Sequence, residues 1–589
     1  MSLSDAALFG VERSLTGRRW LASAADEEVV GRLVAQHALP ELICRLLAER
    51  GIDHARVPDY LTPTLRTLLP DPSSLIDMDR AAERLCAAIV AGESITVFAD
   101  YDVDGATSAA LLRRFLAAVG CQAGLYVPDR AREGYGPSAQ AFLKLREEGA
   151  TLVVTVDCGT SAHQAIAAAA AVGLDVIVID HHQAPEMPPP AVAVVNPNRA
   201  DDRSGSGNLA AVGVTFLLVV ALNRVLRRHG WYGERPEPDL RRWLDLVALG
   251  TVCDMVPLAG VNRAFVVQGL KVAAAGNNPG LAAIRSVAGL RGPPIVHDLG
   301  FAIGPRINAG GRVGESDLGA RLLSSDDPGE VASLAGRLDA LNRQRQRIEA
   351  GVLERALQEV PAAAAAAPLI WVAGEQWHPG VIGIVASRLV ERFHKPAVVL
   401  AVADDEAVAS CRSVIGIDLG RAIREALAEG LLRKGGGHVM AGGFTVARER
   451  LMDAGRFLAG AVAGQIADGA GVAPTLRITA SLGLAGLGSG WMAGLDRLAP
   501  FGTGNPEPLF VVEAARLQWT AKTTGPHLSC SLVDQRGGRM SAMLFRAAGS
   551  PLGKALTTLD GATVHVAGRV RRRRDGAPFF AIEDAAMPV

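Results

Sequence analysis

Polar and apolar positions alternate at helical spacing through the first 75 residues, as in "VVGRLVAQHALPELICRLLAER", where Pro40 interrupts the run. From about residue 78 to 260 the pattern changes. Short continuous apolar runs ("SITVFAD", "AGLYVPD", "TLVVTVD", "DVIVID", "AVAVVNP") alternate with helical stretches such as "TSAALLRRFLAAVG" and "AHQAIAAAAAVG". Unbroken apolar strands separated by helices predict a parallel sheet covered on both faces. Right-handed crossovers then bring every strand's carboxyl end to one edge, where open α/β sheets bind ligands. Beyond "GPRINAGGR" the chain is helical and rich in Arg, Glu and Gln, which predicts long helices bridging two domains. "PAAAAAAP" (361–368) reads as a linker. A second α/β pattern opens with "LIWVAG", and short strand-like runs from about residue 470 predict a small β-barrel. The expected division is a helical cap (1–75), a parallel-sheet domain (76–320), connecting helices and linker (321–368), a second α/β domain (369–468) and a barrel (469–589).

Composition narrows the class. A chain of 589 residues is too long for one core, which fits several domains. The net charge of −1 means that any nucleic-acid surface is local. Seven scattered cysteines with no CxxC pair read as reduced thiols of a cytoplasmic protein. The opening "MSLSDAALFG" has no apolar signal core, and no stretch reaches the length of a membrane span.

The candidate chemistry lies at the ends of the first domain's apolar runs. "DYDVDG" supplies Asp100, Asp102 and Asp104; "VDCG" supplies Asp157; "DHH" supplies Asp180, His181 and His182; "GTVCDMVP" supplies Asp254. Taken singly, an aspartate after a strand is a turn or N-cap residue. Four such motifs directed to one sheet edge gather carboxylates that stay ionised only with cations among them. Oxygen ligands with one or two imidazoles suit Mn²⁺ or Mg²⁺, whereas structural zinc prefers thiolates. Gly105 is expected to permit a sharp turn into the next helix.

The ordered set "ADYDVDG … VDCG … DHH … GTVCDMVPL" resembles the DHH phosphoesterase superfamily. The segments "VPDRAREGYGPS", "NLAAVGVTF", "GPRINAGGR", "WHPGVIGIVASRL", "SCRSVIGIDL", "GGGHVMAGGF" and "PFGTGNPEPLF" resemble its branch of single-stranded-DNA-specific 5′→3′ exonucleases. The resemblance implies a DHH domain, a DHH-associated domain and a C-terminal OB-fold. It also implies two-metal hydrolysis of phosphodiester bonds in DNA repair and recombination. The chain departs from the family's usual residues at Cys158, at Cys411 and in "GGHVMAGG".

By that resemblance Asp157 bridges two ions of Mn²⁺ or Mg²⁺, Asp102 holds one, and Asp104, His181 and Asp254 hold the other. Asp100 is a further ligand or a supporting group, Asp180 orients His181, and His182 touches the phosphate or the leaving oxygen. Arg130, Ser410 and Arg412 match positions that hold a 5′-terminal phosphate. Arg306, Asn308, Arg312 and His438 are further substrate contacts, and Arg571, Arg572, Arg573 and Arg574 form a basic hairpin tip for DNA. The implied partners of this monomer are single-stranded DNA, a single-strand-binding protein and a helicase. Two other readings are a phosphodiesterase of oligonucleotides or cyclic dinucleotides, and a non-catalytic DNA-binding relative.

Overall fold

The computed structural model describes residues 6–129, 132–134, 136–360, 367–467, 474–487, 489–519, 525–573 and 575–588. Near the amino terminus, strand β1 (Arg19–Ala22) is followed by helices Glu27–His37 and Glu41–Glu49. Their apolar faces, with Val30, Leu33, Ile43 and Leu47, share one buried cluster with Phe510, Leu532 and Phe580 of the carboxyl-terminal barrel. β1 also pairs in parallel with β12 (Thr475–Ile478). The expected cap is therefore part of the barrel domain's core. Its amphipathic helices need an apolar partner, and the partner lies more than 400 residues away in sequence.

The first α/β domain is built on five parallel strands: β2 (Ile95–Ala99), β3 (Gly124–Tyr126), β4 (Leu152–Val156), β5 (Asp175–Ile179) and β6 (Ala193–Val195), in the order β3-β2-β4-β5-β6. β2 and β4 are buried along their whole length, as unbroken apolar strands require. The register sets Ala99 beside Val156, Val156 beside Ile179, and Ile179 beside Val195. The next residue of each strand is Asp100, Asp157, Asp180 or Asn196, so the three aspartates stand side by side at the carboxyl edge.

One helix of 32 residues, Pro328–Glu359, replaces the several connecting helices expected. Leu334 and Leu338 belong to the first domain's core, and Val352 and Ala356 to a cluster of the second. The helix is thus a shared beam between two cores.

The second α/β domain has the mixed order β10-β11-β9-β8-β7, with β7 (Ile370–Glu375), β8 (Ala397–Ala403), β9 (Glu406–Arg412), β10 (Lys434–His438) and β11 (Ala441–Ala447). In the last domain β13 (Ala480–Ser481) lies beside a closed barrel. The barrel comprises β14 (Phe510–Trp519), β15 (Leu528–Val533), β16 (Arg539–Leu544), β18 (Pro578–Ala586) and β17 (Thr563–Arg572), which pairs back to β14. Among the described residues no helix is long and apolar enough to cross a membrane.

Candidate metal centre and phosphate grip

Asp102 caps helix Val103–Ala118, its Oδ1 accepting the backbone N–H of Asp104 and of Gly105. Gly105 lies inside this helix, and a Cβ there would sit 2.3 Å from the Asp100 carbonyl oxygen. Close approach of helix to strand end, and not the turn expected from the sequence, is what requires glycine. Asp104 is buried and accepts the N–H groups of Ala211 (2.6 Å) and Val212 (2.9 Å) at the start of helix Ala211–Arg228. Asp157 follows β4 with φ +62, a left-handed conformation that an aspartate tolerates better than most residues.

His181 Nε2 points among carboxylates. It lies 3.4 Å from Asp157 Oδ1, 3.6 Å from Asp254 Oδ2 and 3.8 Å from Asp104 Oδ2. This nitrogen and Asp254 Oδ2 are buried without a hydrogen-bond partner. Asp180 turns to His182 and not to His181: its Oδ1 accepts from His182 Nδ1 at 2.8 Å, and its Oδ2 accepts the Thr160 N–H. The reason is local, because the same Oδ1 also receives the backbone N–H groups of both histidines, which curls His182 over it.

Potential ligand atoms fall into three groups, each within 4.8 Å: Asp100, Asp102 and Asp157; Asp157, His181 and His182; and Asp104, His181 and Asp254. Asp157 and His181 each join two of them. Orphaned buried acceptors in an oxygen-rich set with imidazole suit Mn²⁺ or Mg²⁺.

Electrostatics agree with that fit. Burial, then the Asp254 and Asp102 charges, raises the Asp104 carboxyl well above the usual carboxylate range. Burial and four neighbouring aspartates raise Asp157 likewise. Burial and Asp102 push Asp254 up to about 7. Burial opposes ionisation of Asp180 too, but the hydrogen bond and charge of His182 and the hydrogen bonds from Thr160 together outweigh it and hold this carboxyl below the usual range. Burial and the His182 charge lower His181, which keeps its imidazole neutral and fit to ligate.

Without cations, the folded site keeps protons that the unfolded chain has released above pH ~4. Stability should therefore fall as pH rises toward 7 and past it. Cations reverse this, so the rise in Tm caused by excess Mn²⁺ should be larger at pH 8 than at pH 5. Thermal scans in chelator and in Mn²⁺ at both pH values check it, and equal increments would contradict the assignment.

The remaining residues divide. Arg312, on helix Gly304–Val313, donates to the Gly380 carbonyl at 3.1 Å, which joins the two α/β domains. Gly380 is the second residue of helix Pro379–Phe393, which His378 caps by accepting the Gly380 N–H on Nδ1. Against the start of the second turn lie Ser410 and Arg412: a Cβ on Gly383 would be 2.9 Å from Ser410 Oγ and 3.4 Å from an Arg412 guanidinium nitrogen. Arg412 is partly buried, which lowers its pKa, and among the described residues no carboxylate forms an ion pair with it. Two arginines, a serine and a capping histidine near a helix N-terminus have the chemistry to hold an anion. His378 was missed in the sequence, although "WHPG" carries the signal of a capping residue before Pro at the first helical position.

Other expectations meet a different placement. Arg306 is turned to Asp339 of the long helix (3.0 Å) and to the Ala302 carbonyl, so its guanidinium is engaged within the fold. Asn308 Oδ1 is buried without a hydrogen-bond partner. His438 is exposed at the end of β10. Arg130 and Arg574 lie outside the described residues. Arg571 pairs with Glu507 (2.6 Å), Arg572 pairs with Asp496 (2.8 Å), and Arg573 donates to the Ser541 hydroxyl, so this part of the tip is engaged and not free. Phe579 and Phe580 are buried, whereas Phe545, stacked edge-on by His527, is 45% exposed. Cys158 and Cys411 both point into apolar clusters. Cys411 alternates along β9 with Ser410 and Arg412, so it faces the opposite side of the strand.

Asn196 and Asn198, also unforeseen, hold the histidine backbone through the His182 and His181 carbonyls. Their signal was a polar pair directly after the last apolar run of the sheet.

Comparison with known proteins identifies three domains. Residues 94–251 match the DHH family, N-terminal domain; residues 362–464 match the DHHA1 domain; residues 478–574 match the RecJ OB domain. The single-stranded-DNA-specific exonuclease RecJ of Salmonella typhimurium is 41% identical over 427 residues, covering 69% of this chain and 72% of that protein. RecJ of Escherichia coli is 40% identical over 430 residues, covering 70% and 73%. The crystal structure of RecJ in complex with Mn²⁺ from Thermus thermophilus superposes with a TM-score of 0.79 at 29% identity, over 96% of this chain and 79% of that one. With the same three domains in the same order and this level of identity, the chain belongs to the RecJ family of single-stranded-DNA-specific exonucleases.

Proposed function

We propose that the protein is a metal-dependent exonuclease that degrades single-stranded DNA from its 5′ end. The observation that carries this reading is the set of three aspartates in register at one sheet edge, the middle one of which, Asp157, meets His181 Nε2 together with Asp104 and Asp254. Asp100, Asp102, Asp104, Asp157, His181 and Asp254 would hold two ions of Mn²⁺ or Mg²⁺, with Asp157 shared. Such ions, when bound, supply charge neutralisation at the phosphate and an acidified water. His182, held through Nδ1 by Asp180, would donate to the leaving oxygen from its other ring nitrogen; burial opposes its charge, but Asp180 overcomes this and raises its pKa.

Labour is divided along the limits expected from the sequence. Residues 76–320 carry the hydrolytic centre. Residues 369–468, with Arg312 from the first domain, grip a terminal phosphate through Ser410, Arg412 and His378; Arg130 is the remaining contact of this grip, and Asn308 and His438 are further contacts along the strand. Residues 469–589 bind the following nucleotides. On the barrel the exposed Phe545 beside Arg546 and His527 is better placed for a base than the paired arginines of the hairpin. With little net charge to attract DNA from a distance, delivery by a single-strand-binding protein and a helicase to a monomeric enzyme fits the reading.

The test is digestion of 5′-labelled and 3′-labelled single strands in Mn²⁺ or Mg²⁺. Early release of the 5′ label as mononucleotide is expected. Release from the 3′ end, or activity confined to dinucleotides, would replace this reading by that of a smaller phosphodiesterase.

A further inference from the structure

We propose that Asn262 and the barrel turn 502–505 form a buttress that positions Asp104, His181 and Asp254, an inference that rests on the metal-site reading above. Asp254 ends helix Leu244–Cys253, and Met255 follows in a left-handed conformation at φ +60. The loop then runs through Pro257 and Leu258 into helix Gly260–Ala275. A short loop with one strained residue needs fixing from outside if Asp254 is to hold one position.

Asn262 supplies one fixing point. It is 1% exposed, and its Nδ2 donates both to the Pro257 carbonyl (3.1 Å) and to the Asn208 carbonyl (2.6 Å). The second bond reaches the segment that serves two other candidate ligands. Asn198 Nδ2 donates to the carbonyls of both Gly207 and His181, and Ala211 and Val212 donate to Asp104. One amide group thus ties the Asp254 loop to the backbone that orients His181 and Asp104.

The barrel domain supplies the other point. The Leu258 N–H donates to the Thr503 carbonyl at 2.8 Å, and a Cβ on Gly504 would meet Pro257 Cβ at 2.8 Å and Cα at 3.1 Å. The turn is closed by paired backbone bonds between Gly502 and Asn505. The junction is locked by Arg263, 1% exposed, whose guanidinium donates to carbonyls of Tyr60, Arg497, Ala499 and Pro500. The segment "PFGTGNPEP" therefore has a task at the metal site that a DNA-binding role does not account for.

The experiment uses the full chain and three variants: Asn262→Ala, Gly504→Ala and Gly483→Ala. Gly504→Ala presses a methyl on Pro257, whereas a Cβ on Gly483, exposed elsewhere in the same domain, meets no atom within 4 Å. Mn²⁺ affinity is read by calorimetry without DNA, and kcat and KM on a single strand are read across Mn²⁺ concentrations. Asn262→Ala should weaken Mn²⁺ binding about tenfold and lower kcat at limiting Mn²⁺, with recovery at saturating Mn²⁺ and KM within about twofold. Gly504→Ala should act in the same direction at about threefold, and Gly483→Ala should match wild type. Variants that bind Mn²⁺ like wild type while only melting earlier would overturn the buttress. If Asn262→Ala does not fold, Gly504→Ala against Gly483→Ala decides. A wild-type protein that takes up no Mn²⁺ would instead overturn the reading of the site itself.

Discussion

Replacing Asp157 by alanine is expected to abolish hydrolysis while leaving single-strand binding nearly intact. Asp157 belongs to two of the three ligand groups, so its loss disturbs both candidate ion positions at once. Ser410, Arg412 and His378 of the proposed phosphate grip, and Phe545 on the barrel, belong to other domains than Asp157. The backbone there is left-handed, which alanine accepts poorly, so Asp157→Asn is the companion variant that keeps shape and conformation while removing charge. A second consequence separates function from fold. Burial and the charges of Asp102, Asp104, Asp100 and Asp180 disfavour the ionised form of Asp157. Removing that charge should relieve repulsion, so Asp157→Asn should melt at a higher temperature than wild type in chelator, and the gap should shrink or invert in Mn²⁺. Turnover in Mn²⁺, single-strand binding in chelator and two thermal scans measure all of this. Retention of even about a tenth of wild-type turnover would rule out the shared position.

The sequence carried the sheet and its acidic edge because both depend on local pattern. An unbroken apolar run states a buried strand, and the residue that ends it lies at the carboxyl edge whatever the remaining chain does. The same reasoning put Asp254 at the end of an apolar stretch, although that stretch is a helix. Partnerships across space were a different matter. Asp180 chose His182 because two backbone N–H groups converge on the same oxygen, a property of loop geometry. The basic hairpin tip found Glu507 and Asp496, which are 64 and 76 residues from their partners Arg571 and Arg572. Such exposed pairs contribute only ~0–1 kcal/mol each and leave no periodic mark in the chain. The amino-terminal helices announced an apolar face but not which surface would cover it. Their place in the barrel core has a practical result: deleting residues from about 470 onward strips that face bare and releases the Asp254 loop from Thr503. Loss of activity in such a truncation would mix three causes, and point changes at Phe545 and Arg546 isolate DNA binding better.

If Arg412 grips the terminal phosphate as proposed, its replacement by alanine should erase most of the preference for 5′-phosphorylated strands. A terminal phosphate carries more negative charge than an internal diester, so a guanidinium selects it by charge-assisted hydrogen bonds. Arg412 is well suited to this because burial already disfavours its charge and no carboxylate among the described residues offsets that cost. A partly buried, uncompensated cation binds an incoming anion more strongly than a solvated one does. Ser410 supports it from two residues away, with Oγ at 3.4 Å, and Arg312 is anchored to Gly380 at the same helix start. Each lost charge-assisted contact costs roughly 1.5–3 kcal/mol, or about ten- to a hundredfold in specificity. The comparison is kcat/KM for 5′-phosphorylated and 5′-hydroxyl oligonucleotides, in wild type and in Arg412→Ala. Because the metal ligands lie on the other domain, kcat on the 5′-hydroxyl strand should change little, and this separates reading of the end from chemistry. Equal ratios in the two proteins would show that Arg412 does not read the end. Loss of kcat on both strands alike would move Arg412 from the phosphate grip to the assembly of the cleft.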